Sequence, residues 1–284
     1  MDNSTGLRDL APRYDAVLSD VWGVVHNGIV AHPSAVEALV EYRRGGGRVV
    51  LITNAPRPSP LIVDMLDELD VPREAYDAIV SSGDATRDML EKFSGKSVHY
   101  VGPPHDNDAL FEGLDITLGP AETASAVVVT DLDTDDDTPS MYTDRITVWL
   151  QRNLPLIAAN PDRVVEHGDR LIYCGGALAD LYEARGGMIR MAGKPYKPIY
   201  AEALRLAEKA AGKPLDKSRI LAIGDSVRTD ATGAAGFGID LLFITGSIHA
   251  AELDAFGNPD PAAIEALVAP SGATMAGYMS RLAW

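Results

Sequence analysis

The chain has 284 residues, 46% of them hydrophobic, enough to build one large domain or two modest ones and too apolar for disorder. Asp and Glu number 41 against 25 Lys and Arg, a formal charge of −16 that repels nucleic acid and anionic lipid, so neither is an expected partner. The single cysteine, Cys174, excludes an intramolecular disulfide and a thiolate zinc cluster.

Met1 to Ala11 carries Asp2, Arg8 and Asp9 and no apolar h-region, so no signal peptide is expected. No stretch is long enough to span a bilayer, which makes a soluble cytoplasmic protein the default expectation. The first predicted strand is the apolar run Ala16-Val17-Leu18-Ser19, ending at Asp20. After Pro33, Ala35, Leu39 and Tyr42 fall at helical spacing, and Gly45-Gly46-Gly47 stops that helix. Val49-Val50-Leu51-Ile52 repeats the strand pattern and ends at Thr53. Residues 84–187 read differently. Val98–Val101, Ala126–Val129 and Leu154–Ala158 look like strands, with an acidic loop between Asp131 and Asp144. Ile199, Ala203, Leu206 and Ala210 form a second helical stripe, closed by Gly212 and Pro214. Ile220-Leu221-Ala222-Ile223 then leads into Gly224-Asp225.

Short β-branched runs that do not alternate read as strands buried on both faces, hence a parallel sheet. Strand–helix–strand repetition predicts a doubly wound, Rossmannoid α/β core from residues 1–83 and 188–284, with a second α/β unit inserted at 84–187. Ligands in such sheets bind beyond the carboxyl ends of the strands, where Asp20, Thr53 and Asp225 all fall.

Four motifs in order carry more. They are Asp20-Val21-Trp22-Gly23-Val24, Leu51-Ile52-Thr53-Asn54, Gly193-Lys194-Pro195 and Gly224-Asp225-Ser226-Val227-Arg228-Thr229-Asp230. Together they resemble the haloacid dehalogenase superfamily of phosphohydrolases, in particular its NagD-like branch, over nearly the whole chain. The insert resembles that branch's cap, and Ala159-Asn160-Pro161-Asp162 resembles one of its cap motifs. The resemblance implies a Mg²⁺-dependent hydrolase of a small phosphorylated metabolite, acting through an aspartyl-phosphate on Asp20. It implies that Asp20, Asp225 and the main-chain carbonyl of Trp22 hold the metal and that Asp230 orients that shell. Thr53 and Lys194 would hold the phosphoryl group, with the amide of Asn54 nearby. Arg57 and Arg228 stand beside the motifs and are read as further anion contacts. Dimers through caps occur among similar proteins, so a homodimer is within what the resemblance implies. Each residue also has a plainer reading: Asp20 as a turn cap, Asp230 as a first-turn helix charge, Thr53 as a strand former, Lys194 as a solvated lysine.

Trp22 departs from the pattern. The family's second aspartate protonates the leaving group, help typically worth ~10²–10⁴ in rate, and an indole N–H cannot give that proton. Metal binding should survive, while hydrolysis of esters with poor leaving groups should weaken. Aryl or acyl phosphates need less protonation. His26, on the following flap, is the candidate substitute acid and a candidate substrate contact, against the plainer reading of a solvated flap residue. Alternatives in other classes are a catalytically weak binder of a phosphometabolite or partner protein, and cleavage of a non-ester bond.

Three near misses drop out. Gly187 to Lys194 is not a nucleotide loop, since Pro195 stands where Ser or Thr belongs. Gly233, Gly236 and Gly238 are misordered for a dinucleotide fingerprint. Asp131, Asp133 and Asp135 imitate a calcium loop but lack its glycine and glutamate. Cys174 reads as an inert packed thiol.

Overall fold

The computed structural model describes residues 6–104, 107–168, 170–253 and 259–284. Thirteen strands are found among them: β1 Ala16–Asp20, β2 Arg48–Thr53, β3 Ala78–Ser81, β4 Lys96–Val101, β5 Ile116–Leu118, β6 Val127–Val129, β7 Leu156–Ala158, β8 Val164–His167, β9 Arg170–Tyr173, β10 Ile189–Met191, β11 Ile220–Gly224, β12 Asp240–Ile244 and β13 Met275–Met279.

The first sheet is parallel throughout and runs β13-β12-β11-β1-β2-β3. Its strands are the apolar runs expected to be buried on both faces. Every residue of β1 and β11 is buried. Alternate residues feed separate cores. Val17, Val49, Leu51 and Leu221 pack beneath the helices Pro33–Arg44 and Ser59–Glu68, while Leu18, Val50, Ile52 and Phe243 meet the helices Lys197–Ala211 and Thr232–Phe237. Ala35, Leu39 and Tyr42 are buried as their spacing predicts. In the helix Lys197–Ala211 the buried stripe is Ile199, Tyr200, Ala203 and Ala207, so Leu206 and Ala210 sit at its margin rather than in it. Gly212 ends that helix in the left-handed conformation, φ 68°, that glycine adopts without a Cβ clash.

The inserted unit is a second parallel sheet, ordered β10-β7-β6-β4-β5, with Trp149, Leu178 and Tyr182 in one core beside it and Leu90, Phe93 and Leu110 in the other. Strand β10 pairs with β7 and lies beyond residue 187, so this sheet takes in residues that the sequence assigned to the core. The acidic loop is also shorter than expected, since a 3₁₀ turn forms at Pro139–Tyr142 and the helix Thr143–Gln151 begins inside it. Strands β8 and β9 make an antiparallel ribbon outside both large sheets. No helix among the described residues is long and apolar enough to cross a membrane.

Parallel register sets the site. Asp20 pairs with Ile52, and Ser19 with Ile223. Thr53 and Asp225 therefore each stand one residue past the level of Asp20, on the two strands flanking it. Three polar side chains meet at one edge of the sheet because three apolar runs end together.

Candidate active site

Asp20, Asp225 and Asp230 are all buried, and one carboxylate oxygen from each lies within 4.8 Å of the others. Lys194 Nζ reaches into the same cluster, 2.6 Å from Asp20 Oδ1 and 2.8 Å from Asp230 Oδ1. The other Asp230 oxygen accepts from the Ser226 amide at 3.2 Å, at the start of the π-helical turn Val227–Ala231 that turns Asp230 back toward the strand end. Asp20 Oδ1 accepts from the Val21 amide at 2.7 Å.

Backbone shape keeps these groups close. Gly23 has φ +85°, and a Cβ there would lie 2.1 Å from Asp225 Oδ2. Gly193 has φ +87°, and a Cβ would lie 2.5 Å from Asn54 Oδ1. That oxygen accepts from the Lys194 amide at 2.7 Å, and Asn54 Nδ2 donates to Asp162 Oδ1 at 3.0 Å. Asn54 thus ties the end of β2 to the lysine loop and to the inserted unit. Thr53 is buried, its hydroxyl oxygen accepting from the Ala55 amide at 3.1 Å.

Burial, then the Asp230 carboxylate, raise the Asp20 carboxyl well above the usual range against the pull of Lys194. The same causes, burial first, push Asp225 up to about 7, opposed by a hydrogen bond with Ser247 and by Lys194. Burial works against the Lys194 charge, yet the carboxylates of Asp20, Asp230 and Asp162 hold its ammonium above the ordinary lysine range. Three buried acids and the partly buried Asp162 thus face one buried ammonium. A divalent cation with oxygen ligands fits that charge excess, and the donors present are oxygen only. Asp20, Asp225 and Asp230 are the side chains that could hold it.

A cavity of about 430 Å³ opens from Asp20, Thr53, Asn54 and Asp225 to Arg57 and to Trp22. The inserted unit closes its far side with Asn160 and Asp162 of the cap-like motif and with the β8–β9 ribbon. Arg57 is partly buried on this wall.

Two sequence expectations need correction. His26 is wholly buried behind Trp22, its Nδ1 accepting from the Gly28 amide at 2.9 Å. Burial, with His32 adding to it, holds its imidazole down at about 4. It does not line the cavity, so it stands as neither substrate contact nor substitute acid. Arg228 is the other. Its guanidinium forks onto both oxygens of Asp180, at 2.6 and 2.8 Å, and fastens the π-helical turn to the insert's helix Gly175–Ala184.

Sequence reasoning missed three participants. Asp162 was visible only as part of a motif, and it accepts from Asn54 and is close enough for the Lys194 charge to act on it. Ser247, just past β12, reaches both Asp225 and Glu166 Oε2, the latter at 3.2 Å. It follows an apolar run as Asp20 and Thr53 do, a signal that could have found it. The carbonyl of Glu166 accepts the Trp22 indole N–H, a contact for which the sequence gives no sign.

Comparison with known proteins bears on the family and the fold. The chain is 30% identical over 259 residues to haloacid dehalogenase-like hydrolase domain-containing protein 2 of Bos taurus, covering 87% of this chain and 90% of that protein. The crystal structure of a haloacid dehalogenase-like family hydrolase from Brucella suis 1330 superposes with a TM-score of 0.87 at 42% identity, over 99% of this chain and all of that one. The glycerol phosphate phosphatase of Mycobacterium tuberculosis, solved with magnesium, shares the fold at a TM-score of 0.64 and 21% identity, over 94% of this chain and 76% of that one. Residues 17–115 match the family model for haloacid dehalogenase-like hydrolases and residues 191–269 a second model of HAD-hydrolase-like domains, so the chain belongs to the haloacid dehalogenase-like hydrolase family.

Proposed function

We propose that this protein is a magnesium-dependent phosphohydrolase of small phosphorylated metabolites, with Asp20 as nucleophile. The observation that carries the reading is the meeting of Asp20, Asp225 and Asp230 within 4.8 Å around the end of Lys194. A structural salt-bridge cluster does not need three buried carboxylates for one ammonium; a site for a cation and a phosphate dianion does.

Asp20, Asp225 and the Trp22 main-chain carbonyl would hold magnesium, with Asp230 orienting that shell. The bound cation supplies charge neutralisation for the phosphoryl oxygens. A carboxylate oxygen of Asp20 attacks phosphorus, and the bond from phosphorus to the ester oxygen breaks with its electron pair on that oxygen. Water then attacks the aspartyl-phosphate, the bond to Asp20 breaks, and inorganic phosphate leaves. Thr53, whose hydroxyl oxygen already accepts from Ala55, keeps its proton to donate to a phosphoryl oxygen. The Asn54 amide and Arg57 add donors, and Lys194 neutralises both Asp20 and the transferring group. The inserted unit acts as a cap, walling the cavity and limiting water. The likeness to a glycerol phosphate phosphatase solved with magnesium supports the phosphate and metal parts of the reading.

The test is a magnesium-dependent phosphatase screen on native protein and Asp20→Asn. Turnover should vanish in the variant while its melting curve stays cooperative; undiminished turnover would remove the mechanism. Trp22 favours a second reading, a protein that holds its phosphorylated ligand tightly and hydrolyses alkyl esters slowly, because the indole N–H is already bonded to Glu166 and supplies no proton.

A further inference from the structure

Trp22 is fixed on three sides. Its indole N–H donates to the Glu166 carbonyl, its ring meets His167 edge-on with centroids 6.3 Å apart, and a Cβ on Gly28 would lie 2.5 Å from its Cζ2. The residue is still partly exposed, and the cavity is what it faces. The same cavity is lined by Met65 from the core helix Ser59–Glu68 and by Val165, Ile172 and Tyr173 from the ribbon, together with polar groups of the insert such as Asp131 and Asp135. Displacement at phosphorus puts the leaving oxygen opposite the attacking one. With Asp20 at the strand tip, the leaving group points away from the sheet and into this cavity, toward Trp22.

We infer that Trp22 is a specificity-determining residue whose pinned indole receives a planar, apolar leaving group, so that the substrate class is a phosphate monoester of a phenolic or enolic oxygen on a ring. The inference rests on the phosphohydrolase reading of the same site. Two independent features agree on it. A ring against the indole gains aromatic contact in a pocket that is already formed, so little ordering entropy is lost. A phenolate or enolate also departs without a donated proton, since the electron pair left on oxygen spreads into the ring, and water protonates it afterwards. One residue therefore both omits the acid and selects the esters that do not require it.

The experiment is calorimetry in magnesium with phenylphosphonate and methylphosphonate, neither of which is turned over. Native protein should bind phenylphosphonate about tenfold more tightly, the size of one good ring–ring contact. Trp22→Ala should erase that preference, lowering phenylphosphonate affinity about tenfold more than it lowers methylphosphonate affinity. Trp22→Phe keeps a ring without the N–H bond and should retain part of the preference, which guards against an alanine variant that folds poorly. Equal affinity of native protein for the two phosphonates would overturn the inference, and so would an equal loss for both in Trp22→Ala and Trp22→Phe. No binding of either to native protein would take away the phosphoryl site and this inference with it. A clear phenyl preference in a protein that hydrolyses no ester would uphold Trp22 as the residue that receives the ring and overturn the hydrolase reading together with the substrate class.

Discussion

The two ends of the cavity are built differently. The sheet end is buried and charged, and all its groups but Asp162 come from the core: Lys194 lies at hydrogen-bond distance from Asp20 and Asp230, and Asp225 brings a carboxylate oxygen within 4.8 Å of theirs. The far end is more open, and its apolar side chains, Val165, Ile172 and the exposed Tyr173 of the ribbon, share the lining with Asp131, Asp135 and His167. Groups at the charged end are mutually dependent, because removing one leaves another buried and uncompensated. Side chains at the far end make separate contacts and can be exchanged one by one. On the proposed reading, chemistry is tied to the strand tips of the core, and selectivity to Trp22 of the core together with the ribbon of the insert that holds its indole N–H.

The hardest blow to this contrast would come from Lys194→Ala. That change should cost roughly 3–5 kcal/mol of stability in metal-free protein, since Asp20 and Asp230 lose their shared partner. It should also lower kcat/KM on the order of 10²–10³-fold through loss of a charged donor. A mild effect on both, read by denaturant melts and steady-state kinetics, would mean the charged end is not an interdependent unit. Trp22→Asp should act only at the other end. Alkyl phosphate hydrolysis should rise on the order of 10²-fold in kcat as a carboxylic acid returns beside the leaving oxygen. KM for aryl phosphates should rise at the same time, and a uniform change across both ester types would contradict the division.

The smallest effect concerns pH. Asp20 and Asp225 have folded-state pKa values raised by burial, Asp225 to about 7. Between the unfolded value near 4 and that folded value the native state binds more protons, so stability falls as pH rises through this window and levels off above it. Metal-free protein should melt a few degrees lower at pH 8 than at pH 5.5. Magnesium should raise the melting temperature more at pH 8, because the cation favours both carboxylates in charged form. Asp225→Asn should flatten both trends, and a magnesium shift independent of pH would deny the carboxylates their part.

How much of this was legible follows from the kind of signal each residue carries. Asp20, Thr53 and Asp225 could be placed because each ends an apolar run too short for a helix and too uniform for a half-exposed strand. His26 could not, since its chemistry alone suggests an acid and only the Trp22 ring in front of it shows that it is sealed away. Arg228 sits inside a motif, yet its charge is answered by Asp180, 48 positions away in sequence and on a helix of the insert. The β8–β9 ribbon escaped notice because Val164–His167 is only half-buried throughout and shows no alternation.

By itself the sequence determined the parallel core, the presence of an insert and the places of the four motifs, because apolar runs and the polar residues that end them are local properties that backbone pairing carries directly into space. Only the tertiary structure decided where Trp22 points and which arginine is left beside the cavity. Those outcomes depend on partners such as Glu166 and Asp180, brought close by the packing of the insert on the core, and no local pattern encodes a neighbour that distant in the chain.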